Sequence, residues 1–347
     1  MNKYKQEELT MNKLTKIGAS ALCGSLAAIS AANAGDLSAT GSAHVTYMSK
    51  SDAVTGNPIG MASAVTFSGS GELDNGWGVA LSIAGTDGGG YSNTHVTITL
   101  PGLGDVRIDQ GVSGTGIHRM DDMTPTAWEE ADGAGLSATI NKISGTSAGG
   151  TIEVTPSELM PDGLTARFAY AKDSDSGQVN DKSLGGVTGA QGSGWDLTLE
   201  ASSDLTGVDG LTIYAGISEV DQYQNDSTIN GDKEEDVLGI KYAAGAFTVG
   251  YQVTNEETGM TTTTDYKNTS YGISFNVNDD LSVSYNHTES DETGQSKETA
   301  EADSLQASYT MGGASIRIAE VNVDNAAYSS AASADMDATI VSLSLAF

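Results

Sequence analysis

From Ala39 to Phe347 one pattern repeats: apolar and polar residues alternate with a period of two, in runs of about seven to twelve residues, and helix-spaced apolar stripes are nearly absent. The first run puts Ala39, Gly41, Ala43, Val45 and Tyr47 on one face and Thr40, Ser42, His44 and Thr46 on the other. The alternation returns at Val65 and Phe67, at Trp77 to Ile83, at Leu164 to Tyr170, and so on to Val341, Leu343, Leu345 and Phe347. Sixteen strands are predicted, five of them before the longest connection, and the fold class is all-β.

The connections between these runs alternate in length. Tight turns at 74–76, 101–103, 244–245, 278–280 and 312–313, with modest ones at 157–163 and 203–210, alternate with long stretches at 49–60, 85–93, 173–193, 219–235, 254–268, 288–303 and 322–335. The longest connection, 112–149, follows the segment LPGLGDVRIDQG, in which Val106 and Ile108 share one face and Arg107 and Asp109 the other. A connection of that length inside a compact domain marks a functional loop. Within it Leu136, Ala138 and Ile140 also alternate. Counted as a seventeenth strand they would exchange the long and short ends for everything downstream and leave the termini on opposite sides, so they are assigned to the loop. Thr124-Pro125 predicts the start of a short helix, with Thr126 and Glu129 at capping-box spacing and Gly133 as its stop.

The placement of charge decides between two all-β architectures. The apolar phase is uncharged, whereas the opposite phase holds Asp105, Arg107, Asp109, Glu153, Arg167, Asp196, Glu200, Lys241 and Arg317. A sandwich would bury its apolar face against a second sheet and would need bulkier residues there than these Ala- and Gly-rich faces supply. A Lys or Arg facing lipid near the midplane costs about 2–4 kcal/mol, so this segregation fits a lipid-clad barrel with a wet interior. Tyr47, Trp77, Tyr170, Trp195, Tyr242, Phe247, Tyr251, Tyr271 and Phe347 fall at or near strand ends, where interfacial girdles lie.

The amino terminus reads as an export signal. Lys13 and Lys16 precede an apolar run from Ile17 to Ile29, and Ala32-Asn33-Ala34 is a small-x-small cleavage site, so residues 1–34 are expected to be removed and one domain to span 35–347. The run is too short for a membrane anchor of roughly 20 residues. Leu22 before Cys23, the only cysteine, argues against lipidation, and the exported chain has no thiol for disulfide or metal chemistry. From residue 35 onward the chain keeps 12 of its 16 Lys and Arg and 44 of its 46 Asp and Glu. Such a charge repels nucleic acid and attracts cations.

The export signal, the LPGLGDVRIDQG strand, the long loop after strand five and the closing strand ending in Phe347 together resemble the sixteen-stranded trimeric porins of Gram-negative outer membranes, the alphaproteobacterial branch in particular. The resemblance spans the whole exported chain and lies in the layout, not in one motif. It implies an outer-membrane location, a homotrimer in contact with lipid and lipopolysaccharide, and a water-filled channel for passive diffusion of small hydrophilic solutes and ions. It also implies that the third external loop, here about 112–149, folds inward and sets acidic residues against basic residues of the wall. The loop offers Asp121, Asp122, Glu129, Glu130 and Asp132.

Strand spacing supplies the wall. Arg107, Arg167 and Arg317 lie three or four residues past a short turn and Lys241 three before one, so all four point inward at a similar height, on the order of 10 Å from the short-turn end. Carboxylates at that height, Glu153 and Glu200, would alternatively make them ordinary wetted ion pairs. The acidic balance favours weak cation selectivity.

Other signals are weaker. Acid-rich long-end stretches, including Asp173, Asp175, Glu234 and Glu235, are candidates for weakly bound calcium or magnesium, with plain solvation as the competing reading. No other cofactor is expected. His44 and His95 face the lumen, His118 lies in the long loop and His287 ends a strand; no pair has metal-ligand spacing and no Ser, His and Asp arrangement stands out, so an enzyme is not expected. The rivals are a substrate-specific channel, of which a phosphate or anion channel would need a longer ladder of inward Lys and Arg than four residues supply, and a non-channel surface or adhesive β protein, which fixed-period repeats would support.

Overall fold

The computed structural model describes residues 37–51, 56–87, 91–110, 114–147, 150–174, 191–222, 229–261, 265–293 and 297–347. The expected export signal with Cys23, and the candidate ion ligand Asp175, lie outside these. The strands are β1 (Leu37–Lys50), β2 (Ile59–Glu72), β3 (Gly78–Thr86), β4 (Tyr91–Leu100), β5 (Gly104–Asp109), β6 (Thr151–Thr155), β7 (Leu164–Ala171) and β8 (Gln191–Ala201). They continue as β9 (Leu211–Gln222), β10 (Lys233–Ala244), β11 (Phe247–Glu257), β12 (Tyr266–Asn276), β13 (Leu281–Glu292), β14 (Ala300–Met311), β15 (Ala314–Asp324) and β16 (Met336–Ala346).

Each strand pairs antiparallel with its sequence neighbours, and β1 pairs with β16, so the sheet closes into one barrel of sixteen strands without a free edge. Closure is completed at the carboxyl end, where Gly41 and Phe347 exchange backbone hydrogen bonds of 2.7 and 3.0 Å. The period-two pattern works as expected. Met61, Leu238 and Leu305 on the outer face are 70%, 60% and 62% exposed, an apolar belt that only lipid can cover at low cost.

The strands run further toward the long end than the alternation indicates. β9 and β10 extend into 219–235, and Glu234 and Glu235 stand in the ladder opposite Glu257 and Glu256 instead of in a loop. Above the apolar belt both faces of the sheet are wet, so hydrogen bonding continues while the hydrophobic signal stops. His287 is likewise inside β13, with Nδ1 2.9 Å from Asp303 and its ring stacked on Tyr271.

The apolar packing inside the barrel lies beneath the long loop. Ile117, Met120 and Ile143 pack against Tyr214 and Val237 of the wall, and Ala131, Ala134, Leu136 and Ala138 pack against Ala302, Ala319, Val321 and Ile340. The alternation of Leu136, Ala138 and Ile140 therefore belongs to an extended chain laid against the lumen wall, outside the ladder.

Candidate functional site: the inserted loop and the lumen wall

The chain between β5 and β6 enters the barrel and is held there by inward-facing side chains that capture its backbone. Glu153 on β6 accepts the Gly116 N–H at 2.8 Å. Asp196 on β8 accepts the N–H groups of Ile117 (3.2 Å) and Thr146 (3.3 Å) and the Thr146 hydroxyl (2.9 Å). Glu235 on β10 takes those of Ser144 (3.0 Å) and Gly145 (2.6 Å). Amide side chains continue the series. Gln252 on β11 donates to the Met120 carbonyl at 2.9 Å, Asn286 on β13 accepts from Ala131 N at 2.9 Å, and Gln306 on β14 accepts from Trp128 N at 2.9 Å. An irregular chain taken out of water must find partners for its N–H groups. The wall supplies them.

These bonds displace the expected short helix. The N–H groups of Ala127, Trp128, Glu129 and Ala131 are taken by Ser284, Gln306 and Asn286, so 124–133 runs as turns, and a single 3-10 turn forms earlier, at Gly116–Met120. Gly116 sits at φ +55°, and a side chain there would overlap the Asp196 carboxylate. Gly250 and Gly272, paired across β11 and β12, open the niche that receives Pro125; a Cβ on Gly250 would lie 2.5 Å from the proline ring.

Of the five loop acids, Asp122 and Glu129 are exposed. Asp121 is half-buried and shares a hydrogen bond with Asp122; burial and the Asp122 charge push it up to about 7. Although Glu129 is exposed, partial desolvation by its surroundings and the neighbouring Glu130 raise its pKa, against the opposing pull of Arg317. For Glu130, burial is outweighed by Lys142, whose Nζ lies 2.9 Å away and holds the carboxyl below its ordinary value. Lys142 also reaches Asp132 at 3.6 Å, and its own pKa is raised because these carboxylates overcome the cost of burial.

The four expected wall cations do not gather on one side. Arg107 on β5 bonds Asp109 at 2.6 Å. Arg167 on β7 neighbours Glu153, Glu200 and the loop's own Arg119, and Arg119 is paired with Glu153. Lys241 on β10 lies 5.8 Å from the centre of the Tyr214 ring. Arg317 on β15 stands near Glu129, on the side where the loop is attached. The separation follows from ring order, since β5, β7, β10 and β15 are scattered around the barrel.

Among the candidate ion ligands, Glu235 is committed to Lys233 at 2.6 Å and to the loop backbone. Among the described residues no three His, Cys, Asp or Glu side chains come together as a metal-holding group. Six wall residues hold the loop; sequence names Glu153, Asp196 and Glu235 only as lumen charges or ion ligands, and does not name Gln252, Asn286 and Gln306 at all. Their only signal is that they are inward-phase carboxylates and amides.

Three comparisons place this geometry. The sequence profile described as Gram-negative porin matches residues 18–326. A comparison with the curated proteins finds no match. Among solved structures, OmpF of Salmonella typhi in complex with daunomycin is similar, with 13% identity and a TM-score of 0.68 over 90% of this chain and 98% of that one. The anion-selective porin from Comamonas acidovorans gives 14% and 0.62 over 90% and 99%. Outer-membrane expressed OmpT of Vibrio cholerae gives 12% and 0.61 over 90% and 97%.

Proposed function

This chain belongs to the Gram-negative porin family and is a multi-pass outer-membrane channel protein, and from that premise we propose that its lumen passes small hydrophilic solutes and ions by passive diffusion. The observation that carries the reading is the docked loop. Its bonds to β6, β8, β10, β11, β13 and β14 hold it against the wall inside the barrel, and we read the lumen left beside it as the water path. The narrowest passage then lies between the loop and the rest of the ring, with Asp122 and Glu129 on the loop and Arg107, Arg167, Lys241 and Arg317 around the wall as the charges that a passing ion meets. We assign the pore a weak preference for cations, on the net charge of the chain and the exposure of those two acids.

The functional unit is proposed to be a homotrimer, as the family resemblance implies, embedded in outer-membrane lipid and lipopolysaccharide. Purified protein in a planar bilayer tests both statements. Stepwise conductance increments arriving in threes are expected. Silence from folded, heat-modifiable barrels would refute the open passage, and single increments would refute the trimer.

A further inference from the structure

The wall that faces the loop is almost bare of charge. β2, β3 and β4 stand eight places around the ring of sixteen from β10, β11 and β12, which lie within the loop-bearing arc. On β2 the inward positions from Gly60 to Ser70 are glycine, alanine, serine or threonine, and so are those of β3 from Gly78 to Thr86. β4 presents His95, Thr97 and Thr99. Along β1 to β4 the Asp, Glu, Lys and Arg residues are Lys50 and Glu72, each the last residue of its strand and so at opposite ends of the barrel. The basic groups of the lumen lie on other strands or on the loop: Arg107 with Asp109, Arg119 with Glu153, Lys142 with Glu130 and Asp132, Lys233 with Glu235 and Glu256, Arg167 near Glu153 and Glu200, Arg317 near Glu129, and Lys241 beside the Tyr214 ring.

We propose that this pore selects with a one-sided acidic constriction: Asp122 and Glu129 act across the water from a neutral hydroxyl wall, so the favoured solutes are small cations and uncharged hydroxylated molecules, and anions are held back. A basic wall opposite the acids would create a transverse field that orients dipoles and gives anions a path of their own. Here no cation on β2 to β4 opposes the acids across the gap, and the serine and threonine hydroxyls of these strands offer hydrogen bonds to a solute of any orientation. The row Ser68, Ser82, His95, Asp109, Thr151 runs in register around this arc and meets the loop where Thr151 bonds the Thr146 carbonyl at 2.9 Å. Ser68 and Ser82 are therefore the positions at which a cation would rebuild the missing field.

The inference rests on the channel reading, and the experiment separates the two. Reversal potentials of the purified full-length barrel are measured across a potassium chloride gradient at pH 8, for the parent, for Asp122→Asn with Glu129→Gln, and for Ser68→Arg with Ser82→Arg. The parent is expected to be cation-selective. A unit charge about 7 Å from an ion in a water-like medium changes its local concentration roughly 2- to 3-fold, in opposite directions for potassium and chloride, so the neutralised pair should lower the potassium-to-chloride permeability ratio by about the square of that factor, roughly 4- to 9-fold, per charge. The arginine pair should lower it by a similar factor, and it should slow a neutral sugar alcohol in liposome swelling less than it changes ion selectivity. Conductance with no cation preference, or a preference that survives loss of both acids, overturns the one-sided constriction while leaving the channel standing. No conductance from folded parent protein overturns both.

Discussion

Replacing Asp196 with alanine should loosen the loop while leaving the barrel closed. The carboxylate is fully buried and accepts three hydrogen bonds, from Ile117 N, Thr146 N and Thr146 Oγ1. Its removal strands two buried backbone donors at about 1–3 kcal/mol each. Water from the lumen recovers part of that, and a loss of about 2–3 kcal/mol in docking remains. At about 1.4 kcal/mol per tenfold, the undocked population of this end of the loop rises roughly 30- to 150-fold. The ladder on both sides, Ala169 to Asp196 and Asp196 to Ser218, is made by backbone and survives. The assay is single-channel recording at fixed voltage, scoring brief conductance fluctuations, beside the heat-induced gel shift of the barrel. Frequent fluctuations with an unchanged gel shift are expected, and Asp196→Asn, which keeps one acceptor oxygen, should fall between parent and alanine. An alanine variant as quiet as the parent would refute the anchoring argument.

Three further outcomes follow from the same geometry. Asp121 is raised from 3.8 to about 7 in the docked loop, so its contribution to docking is fully present below 3.8, is lost progressively as pH rises to about 7, and is gone above; fluctuations should be rarer at pH 5 than at pH 8, and Asp121→Asn should flatten that profile. Gly250→Val should push Pro125 from its niche, since even a Cβ would lie 2.5 Å from the ring, and protease nicking of the loop in the detergent-solubilised protein should increase several-fold. Lys142→Met removes the cation that holds Glu130 below its ordinary pKa, so a carboxyl titration followed by infrared spectroscopy should show a group moving upward.

The barrel was legible because the lumen is wet and the outside is lipid, which forces every strand to alternate and keeps Arg167, Asp196 and Lys241 in one phase. The rule lapses above the lipid. There Glu234 and Glu235 continue β10 with no apolar signal to announce it. The position of the loop was legible from its length, but its conformation was not. A capping box at Thr126 and Glu129 is a local preference, and Gln306 and Asn286, more than 150 residues away, offer its N–H groups better partners. The roles of those wall residues are set by where the loop backbone passes, which no local pattern encodes. The neutral arc of β1 to β4 was present in the alternating serines and threonines from the start. Its meaning depends on which strands carry the loop, and that becomes visible only in the ring order.

The central claim is that residues 114–147 lie inside the lumen and face the solute path with Glu129, and one measurement reaches it directly. The chain's only cysteine is Cys23, within the expected export signal, so Glu129→Cys combined with Cys23→Ser leaves a single thiol in the protein. A small cationic thiol reagent added during bilayer recording should reduce potassium current in discrete steps as each channel reacts, and a reductant should restore it. If the thiol is labelled at full speed by a bulky reagent that cannot enter the barrel, and the current does not change, the loop lies outside the lumen and the account is wrong.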